Sequence, residues 1–259
     1  MSAEGLPEGW PEGTDRVVLT KVDSTNAEAA RRAPGLTRPT WIMALRQSAA
    51  RGRRGRPWLM AEGNFAATLS MPLASPPAEA ALRSFVAALA LHEALAGLTG
   101  ERARLTLKWP NDVILNGGKV AGILLESAGR VAQLDRLAVG IGVNLVAAPG
   151  QQEVEAGALF PVSVLGETGR TITPGVLLTP LAAAFARWEA RLSCEGFPPL
   201  RDAFLSRAGR IGETVTARTG AGAVEGRFET IDDTGALVLS TANGPRAIPA
   251  ADLYFQAAG

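Results

Sequence analysis

The stretch that most restricts the fold is Asn116-Gly117-Gly118, set between Val113-Ile114-Leu115 and the run Val120 to Glu126. Asn-Gly between apolar runs favours a two-residue turn with positive φ, and that turn joins adjacent antiparallel strands. Ala103 to Trp109 reads as a further strand before the polar corner Pro110-Asn111-Asp112. Lys108 to Ser127 is therefore strand, corner, strand, tight turn, strand. Gly122 falls inside the last strand, where a glycine marks close approach by a ligand or another element.

Charge is distributed unevenly over this frame. The chain has 26 lysines and arginines, and only Lys21, Lys108 and Lys119 are lysine. Lysine is a compact point charge and arginine a rigid fork, so two of the three point charges lie in this one segment. Upstream, Arg46 to Trp58 carries Arg46, Arg51, Arg53, Arg54 and Arg56 with no acid among them, and Gly52 and Gly55 between. With no apolar periodicity it is expected to be a loop, mobile when empty. Unpaired like charges repel, so it reads as a polyanion clamp of guanidinium forks and glycine amides; a solvated charge run is the plainer alternative. Net charge is only +1, so no whole-molecule field argues for nucleic acid.

Other chemistries fall away. One cysteine, Cys194, permits no disulfide framework or cysteine zinc site. One histidine, His92, lies among Leu82, Phe85, Val86, Leu89 and Leu95 at helical spacing, a structural setting that removes histidine triads. Gly118-Lys119 lacks the rest of a phosphate-binding P-loop, and Gly140-x-Gly142 lacks a third glycine and a helix. The acidic, Pro/Gly-containing stretch Met1 to Asp15 is not a signal peptide, and no uncharged apolar run of about 18 residues suggests a membrane span; a cytoplasmic protein is expected.

In chain order, strands are expected at 16–22, 41–45, 64–71 and 131–145, with helices after Ser24, from Glu79 to Leu98, from Thr179 to Cys194 and from Pro199 to Arg207. Asp23 or Ser24 caps the first helix, Glu28 falls near a capping-box position, and Thr179-Pro180 opens the third. Residues 146–173 read as weakly structured. From Gly212, short strands at 213–218, 223–231, 236–240 and 246–249, with turn signals between, indicate a small β-barrel or roll. The expected division is 1–208 and 209–259.

Asp23-Ser24-Thr25-Asn26, Arg51-Gly52-Arg53-Arg54-Gly55-Arg56 with Trp58, Lys108-Trp109-Pro110-Asn111-Asp112 with Lys119-x-x-Gly122-Ile123-Leu124, and Gly140-Ile141-Gly142-Val143-Asn144-Leu145 occur in this order. In that order and spacing they resemble the biotin–protein ligases, over roughly residues 16 to 255. The resemblance implies an α+β fold: a mixed or antiparallel central sheet flanked by helices, like class II synthetases, with a C-terminal SH3-like barrel. It implies that ATP and biotin give biotinyl-adenylate and pyrophosphate, and that the biotinyl group then passes to a lysine of a biotin carboxyl carrier domain. Lys119 and Arg53 are then the catalytic residues, with Lys119 bridging the biotin carboxylate and the α-phosphate. Ser24, Thr25, Asn26, Gln47, Arg51, Gly52 and Gly122 join them around biotin. Arg54, Arg56, Trp58, Lys108, Asn111, Asp112 and Asn144 join Arg53 and Lys119 around ATP or the adenylate, with Mg²⁺ expected and Asp112 as its candidate ligand. Ala50 stands where members often have glycine, which stiffens the loop. A start about twenty residues before Asp23 leads to an expectation of no specific DNA binding; a homodimer stays open. The alternatives are a lipoate or octanoate ligase or transferase of the same fold, a single-stranded nucleic-acid binder using the Gly52–Gly55 loop, and an inactive relative, against which Lys119, Asn111 and Asp112 argue.

Overall fold

A computed structural model describes residues 6–100, 103–129, 134–155, 157–220 and 222–255. The hairpin forms as its turn chemistry requires: Asn116 (φ 50°) and Gly117 (φ 91°) take the two positive-φ positions, joining β5 (Asp112–Leu115) to β6 (Gly118–Gly129). With β1 (Asp15–Leu19), β2 (Thr40–Ala44), β3 (Phe65–Ser75), β4 (Leu105–Lys108) and β7 (Leu134–Val143) they make a sheet of order β1-β2-β3-β7-β6-β5-β4. Among the described residues only the β1–β2 pair of its strands is parallel, so the central sheet is mixed. Residues 131–133, expected to begin β7, and Arg130 of the preceding turn lie outside the described residues.

The sheet is two-faced because its central strands alternate. In β7, Leu137, Val139, Ile141 and Val143 belong to the apolar core, and Ala138, Gly140 and Gly142 fall between them on the other face. In β3, Phe65, Ala67, Leu69 and Met71 face the same core, leaving Ala66, Thr68 and Ser70 opposite. The core side is covered by α3 (Arg83–Thr99) and α5 (Pro174–Glu195). The helical run Pro77–Thr99 is long and apolar enough by composition to cross a membrane, but more than half of it is buried inside this molecule.

Several boundaries differ from the sequence reading. α5 begins at Pro174 with Thr173 as cap, whose Oγ1 accepts from Val176 N at 3.4 Å; Thr179-Pro180 lies inside it. An internal proline costs about 3 kcal/mol. Burying Leu177 and Leu178 on the extra turns returns about 2 kcal/mol each, so the helix runs through. The 146–173 segment contains a short helix, α4 (Val164–Thr168), capped by Ser163. α1 (Thr25–Arg32) is capped by Ser24; Glu28 closes no capping box but pairs with Arg31 and Arg32 at 2.7 Å. The expected 79–98 helix divides into α2 (Pro77–Ala81) and α3.

After α6 (Pro198–Leu205) the chain builds a second, antiparallel sheet from β8 (Thr214–Thr219), β9 (Gly222–Ile231), β10 (Leu237–Thr241), β11 (Gly244–Ile248) and β12 (Asp252–Phe255). The order is β11-β10-β9-β8-β12; where a small β-barrel or roll is expected, the described residues form a five-stranded antiparallel sheet with no ladder between β11 and β12. β12 has no counterpart in the sequence reading, and Ala221 of the expected 220–222 turn lies outside the described residues. The connection is pinned to the first sheet, with Leu107 N donating to Arg207 O at 2.8 Å and Gly209 N to Leu107 O at 2.9 Å, and Trp109 Nε1 donates across to Gly235 O in the β9–β10 turn at 3.0 Å.

Candidate active site

The sheet face away from α3 and α5 carries a cavity of about 520 Å³. Register explains its floor. Lys108, Asp112, Gly122, Gly142 and Ala66 pair successively across β4, β5, β6, β7 and β3, a row with two charges at one end and two bare glycines in the middle. The glycines make room for named side chains. A Cβ on Gly142 would lie 2.7 Å from Trp58 Cε2, one on Gly122 would lie 3.2 Å from Trp58 Cζ3, and one on Gly140 would lie 2.2 Å from Asn26 Oδ1. The element approaching Gly122 is thus the indole of Trp58.

Asp112 is the electrostatic centre. Its Oδ1 lies 2.7 Å from Lys119 Nζ and its Oδ2 3.3 Å from Lys108 Nζ. Burial raises the Asp112 pKa, but the two ammoniums outweigh it and hold the carboxyl below the usual carboxylate range. Lys108 is the more buried lysine, and desolvation pulls its ammonium below the ordinary value against the pull of Asp112. Lys119 faces the cavity, 5.7 Å from the Trp58 ring centroid. Its backbone is held on both sides, its N donating to Phe160 O at 2.8 Å and its O accepting from Val162 N at 3.0 Å.

At the other end, the N-terminus of α1 presents Ser24, Thr25 and Asn26, all buried. Gln47 Oε1 accepts from Thr25 N at 2.7 Å. The Thr68 hydroxyl donates to Asn26 Oδ1 at 2.6 Å, and Asn26 Nδ2 donates to Glu126 Oε2 at 2.8 Å, so both ends of that amide are fixed. Asn144 Nδ2 donates to Val162 O at 3.2 Å. Its Oδ1 and Trp58 Nε1 are buried without a hydrogen-bond partner. Buried polar groups are normally paired, so both are suited to meet a polar ligand.

The arginine loop closes over this floor. It folds on itself through Gly52 N to Arg56 O at 2.7 Å and Trp58 N to Ala50 O at 2.9 Å. Its charges are not unpaired, as expected from the sequence, because carboxylates distant in the chain reach it. Arg46 pairs with Glu62, Arg51 with Glu126, Arg56 with Glu155, and Arg53, Arg54 and Arg56 with Asp252. Arg53 also donates to Asn111 Oδ1 at 3.4 Å and Ala251 O at 3.1 Å, and burial draws its pKa below the ordinary value.

Of the site residues expected from sequence, all but Arg54 line the cavity; the far wall comes from the 149–161 segment, with Asp252, Leu253 and Tyr254. Glu126 and Asp252 were missed because each acts through a fold-dependent contact that no local pattern signals. His92 stands apart, its Nε2 3.4 Å from Leu105 O. Among the described residues no three His, Cys, Asp or Glu side chains cluster to hold a metal ion. With both oxygens next to ammoniums, Asp112 serves as their counter-ion; Mg²⁺ that arrives with a nucleotide is usually held by one or two carboxylates together with the phosphates.

Comparison with known proteins now decides the family. Residues 18–144 match the biotin/lipoate A/B protein ligase family, and residues 211–255 match the biotin protein ligase C-terminal domain. A biotin–[acetyl-CoA-carboxylase] ligase of Paracoccus denitrificans is 55% identical over 92% of this chain and 99% of its own. The chain belongs to the biotin–protein ligases. A second such relative of this ligase, from Mycobacterium tuberculosis, is 31% identical over 96% of this chain and 91% of its own. Among solved structures, the biotin protein ligase of Aquifex aeolicus in complex with biotin and ATP superposes with a TM-score of 0.75 at 26% identity, covering 92% of this chain and 97% of that one.

Proposed function

We propose that the cavity over the Gly122–Gly142 row carries both half-reactions of biotin–protein ligation. A biotin carboxylate oxygen attacks the α-phosphorus of ATP, the bond to the β-phosphate oxygen breaks, and pyrophosphate leaves. A neutral lysine amine of the carrier domain then attacks the acyl carbon; AMP leaves with the bonding pair and the amine loses its proton.

The observation that carries this reading is the convergence of Lys119, the arginine loop and the α1 N-terminus on one cavity. In this reading Lys119 bridges the biotin carboxylate and the α-phosphate, whose charge grows in the transition state, where such fixed charge acts; its place in the cavity beside Trp58 supports the role. Ser24, whose Oγ accepts from Ala27 N, keeps its hydroxyl proton to donate. With Thr25, Asn26 and Gln47 it suits the fixed donors and acceptors of the ureido ring. Arg51, Gly52 and Arg53 cover biotin and the phosphate, and Arg56 and Arg54 take the pyrophosphate side. Trp58, Lys108, Asn111, Asp112 and Asn144 form the adenylate end. Mg²⁺ bound with ATP would neutralise phosphate charge, and no residue here is assigned to hold it.

We further take residues 1–208 as the catalytic unit and 209–259 as a C-terminal unit of SH3-like type, acting in the cytoplasm on the carrier domain of a carboxylase. The test is biotin-dependent exchange of labelled pyrophosphate into ATP, with lipoate and octanoate as controls. Exchange with biotin alone is expected; none with biotin, or equal exchange with lipoate, sinks the reading.

A further inference from the structure

Asp252 lies on β12 of the second sheet, in register with Arg218 of β8, and its side chain is only 14% exposed. Its Oδ1 is 3.3 Å from Arg53 Nη1; its Oδ2 is 2.9 Å from both Arg54 Nη1 and Arg56 Nη2. Three guanidiniums of one short loop therefore share one carboxylate, supplied about 200 positions away in the chain. Arg53 reaches further along the same edge to Ala251 O, so side chain and backbone of one strand end grip the loop together.

From this geometry we infer that Asp252 is a positioning residue for adenylate formation, holding Arg53, Arg54 and Arg56 side by side before the phosphates arrive. The inference rests on the ligase reading above for its substrate and on the contacts alone for its mechanics. Like charges so close repel, and a shared anion offsets that repulsion. Asp252, together with the Glu155 that pairs with Arg56, sets two carboxylates against three guanidiniums, so the cluster stays net positive and still attracts a polyphosphate. At saturating ATP the phosphates can gather the same guanidiniums, so the loss of Asp252 is felt in ATP capture and little in turnover. The second sheet thereby contributes to the first sheet's chemistry without touching the reacting atoms.

The test uses the full chain with Asp252→Asn, and Asp252→Glu as the conservative partner. Without ligand, trypsin is expected to cut after Arg53, Arg54 or Arg56 about tenfold faster in D252N than in the natural protein, and ATP with biotin should restore protection. In pyrophosphate exchange, KM for ATP should rise about tenfold, a shift of about 1.4 kcal/mol, with kcat changed by less than about threefold; D252E should recover most of it. Unchanged cleavage with unchanged KM overturns the inference. So does a fall in kcat at constant KM, or a lower KM, which would make Asp252 a competitor of the phosphates. If D252N does not fold, Arg54→Gln/Arg56→Gln, two half-exposed side chains, tests the same contacts, and no gain in cleavage after Arg53 overturns it. A natural protein without any exchange activity would defeat the ligase reading, while the ligand-free cleavage comparison would still decide the role of Asp252.

Discussion

At the scale of single residues the site turns on one carboxylate between two ammoniums. Lys119→Arg keeps the charge but replaces a point cation with a broad fork. Adenylate synthesis is expected to fall by about 100-fold or more, with thermal unfolding little changed; near-normal pyrophosphate exchange would remove Lys119 from the chemistry. Asp112→Asn acts differently, because it removes the carboxylate that faces the largely covered ammonium of Lys108 at 3.3 Å. Breaking a buried pair costs about 3–5 kcal/mol, so this variant should lose stability by that order in urea unfolding. A loss under about 1 kcal/mol would show that Asp112 is not the main compensation of Lys108.

At the scale of elements, β7 and α3 each carry a test. Glycines alternate with valine and isoleucine along β7 because one face packs helices and the other must accept Asn26 and Trp58. Gly140→Ala places a methyl where Asn26 Oδ1 sits while leaving the ladder intact. Biotin binding by calorimetry should weaken at least about tenfold, of the order expected for a buried polar group pushed off its partners; unchanged affinity would separate Asn26 from biotin. On α3, burial first and then Arg207 draw the pKa of His92 below its ordinary 6.5. The unfolded chain then takes up a proton that the folded chain resists, so stability is complete above about pH 6.5 and declines as pH falls below it. His92 is the only histidine, and ordinary carboxylates titrate lower, near 4. Urea midpoints measured between pH 7.5 and 5.5 should therefore fall in the natural protein and stay level in His92→Gln; parallel slopes would exclude His92 as the source.

For the whole molecule, the question is whether the second sheet is an appendage or a part of the first. The indole of Trp109, fully buried, donates to Gly235 O, and Gly235 packs against Phe85 and Leu82. Phe85 also stacks edge-on against Phe197 and Phe204, with centroids 4.9 Å apart in both pairs. A chain ended after Gly209 would uncover this aromatic cluster and orphan the Trp109 N–H. It should bind a hydrophobic dye and unfold at lower urea; a cooperative transition at the natural midpoint would show the two units to be independent.

The sequence by itself determined the features that short-range chemistry sets. The Asn116-Gly117 turn, a helix cap at Asp23 or Ser24, the alternating strands and the two stretches that line the candidate site, Lys108–Ser127 and Arg51–Arg56, were all legible, because each depends on φ preferences, side-chain periodicity or local charge. The motifs also sufficed for the family, since their order along the chain is itself a local record. Boundaries were less legible: Pro180 looked like a helix start because its missing N–H is a local fact, whereas the burial of Leu177 and Leu178 that overrides it is not. Only the tertiary structure decided where the five loop arginines find their counter-charges, that Gly122 and Gly142 yield to Trp58, and that Asp112 is held between two lysines. Ion pairs and close packing here join residues from four to about 200 positions apart, and spacing along a chain does not say which of them folding brings under 4 Å.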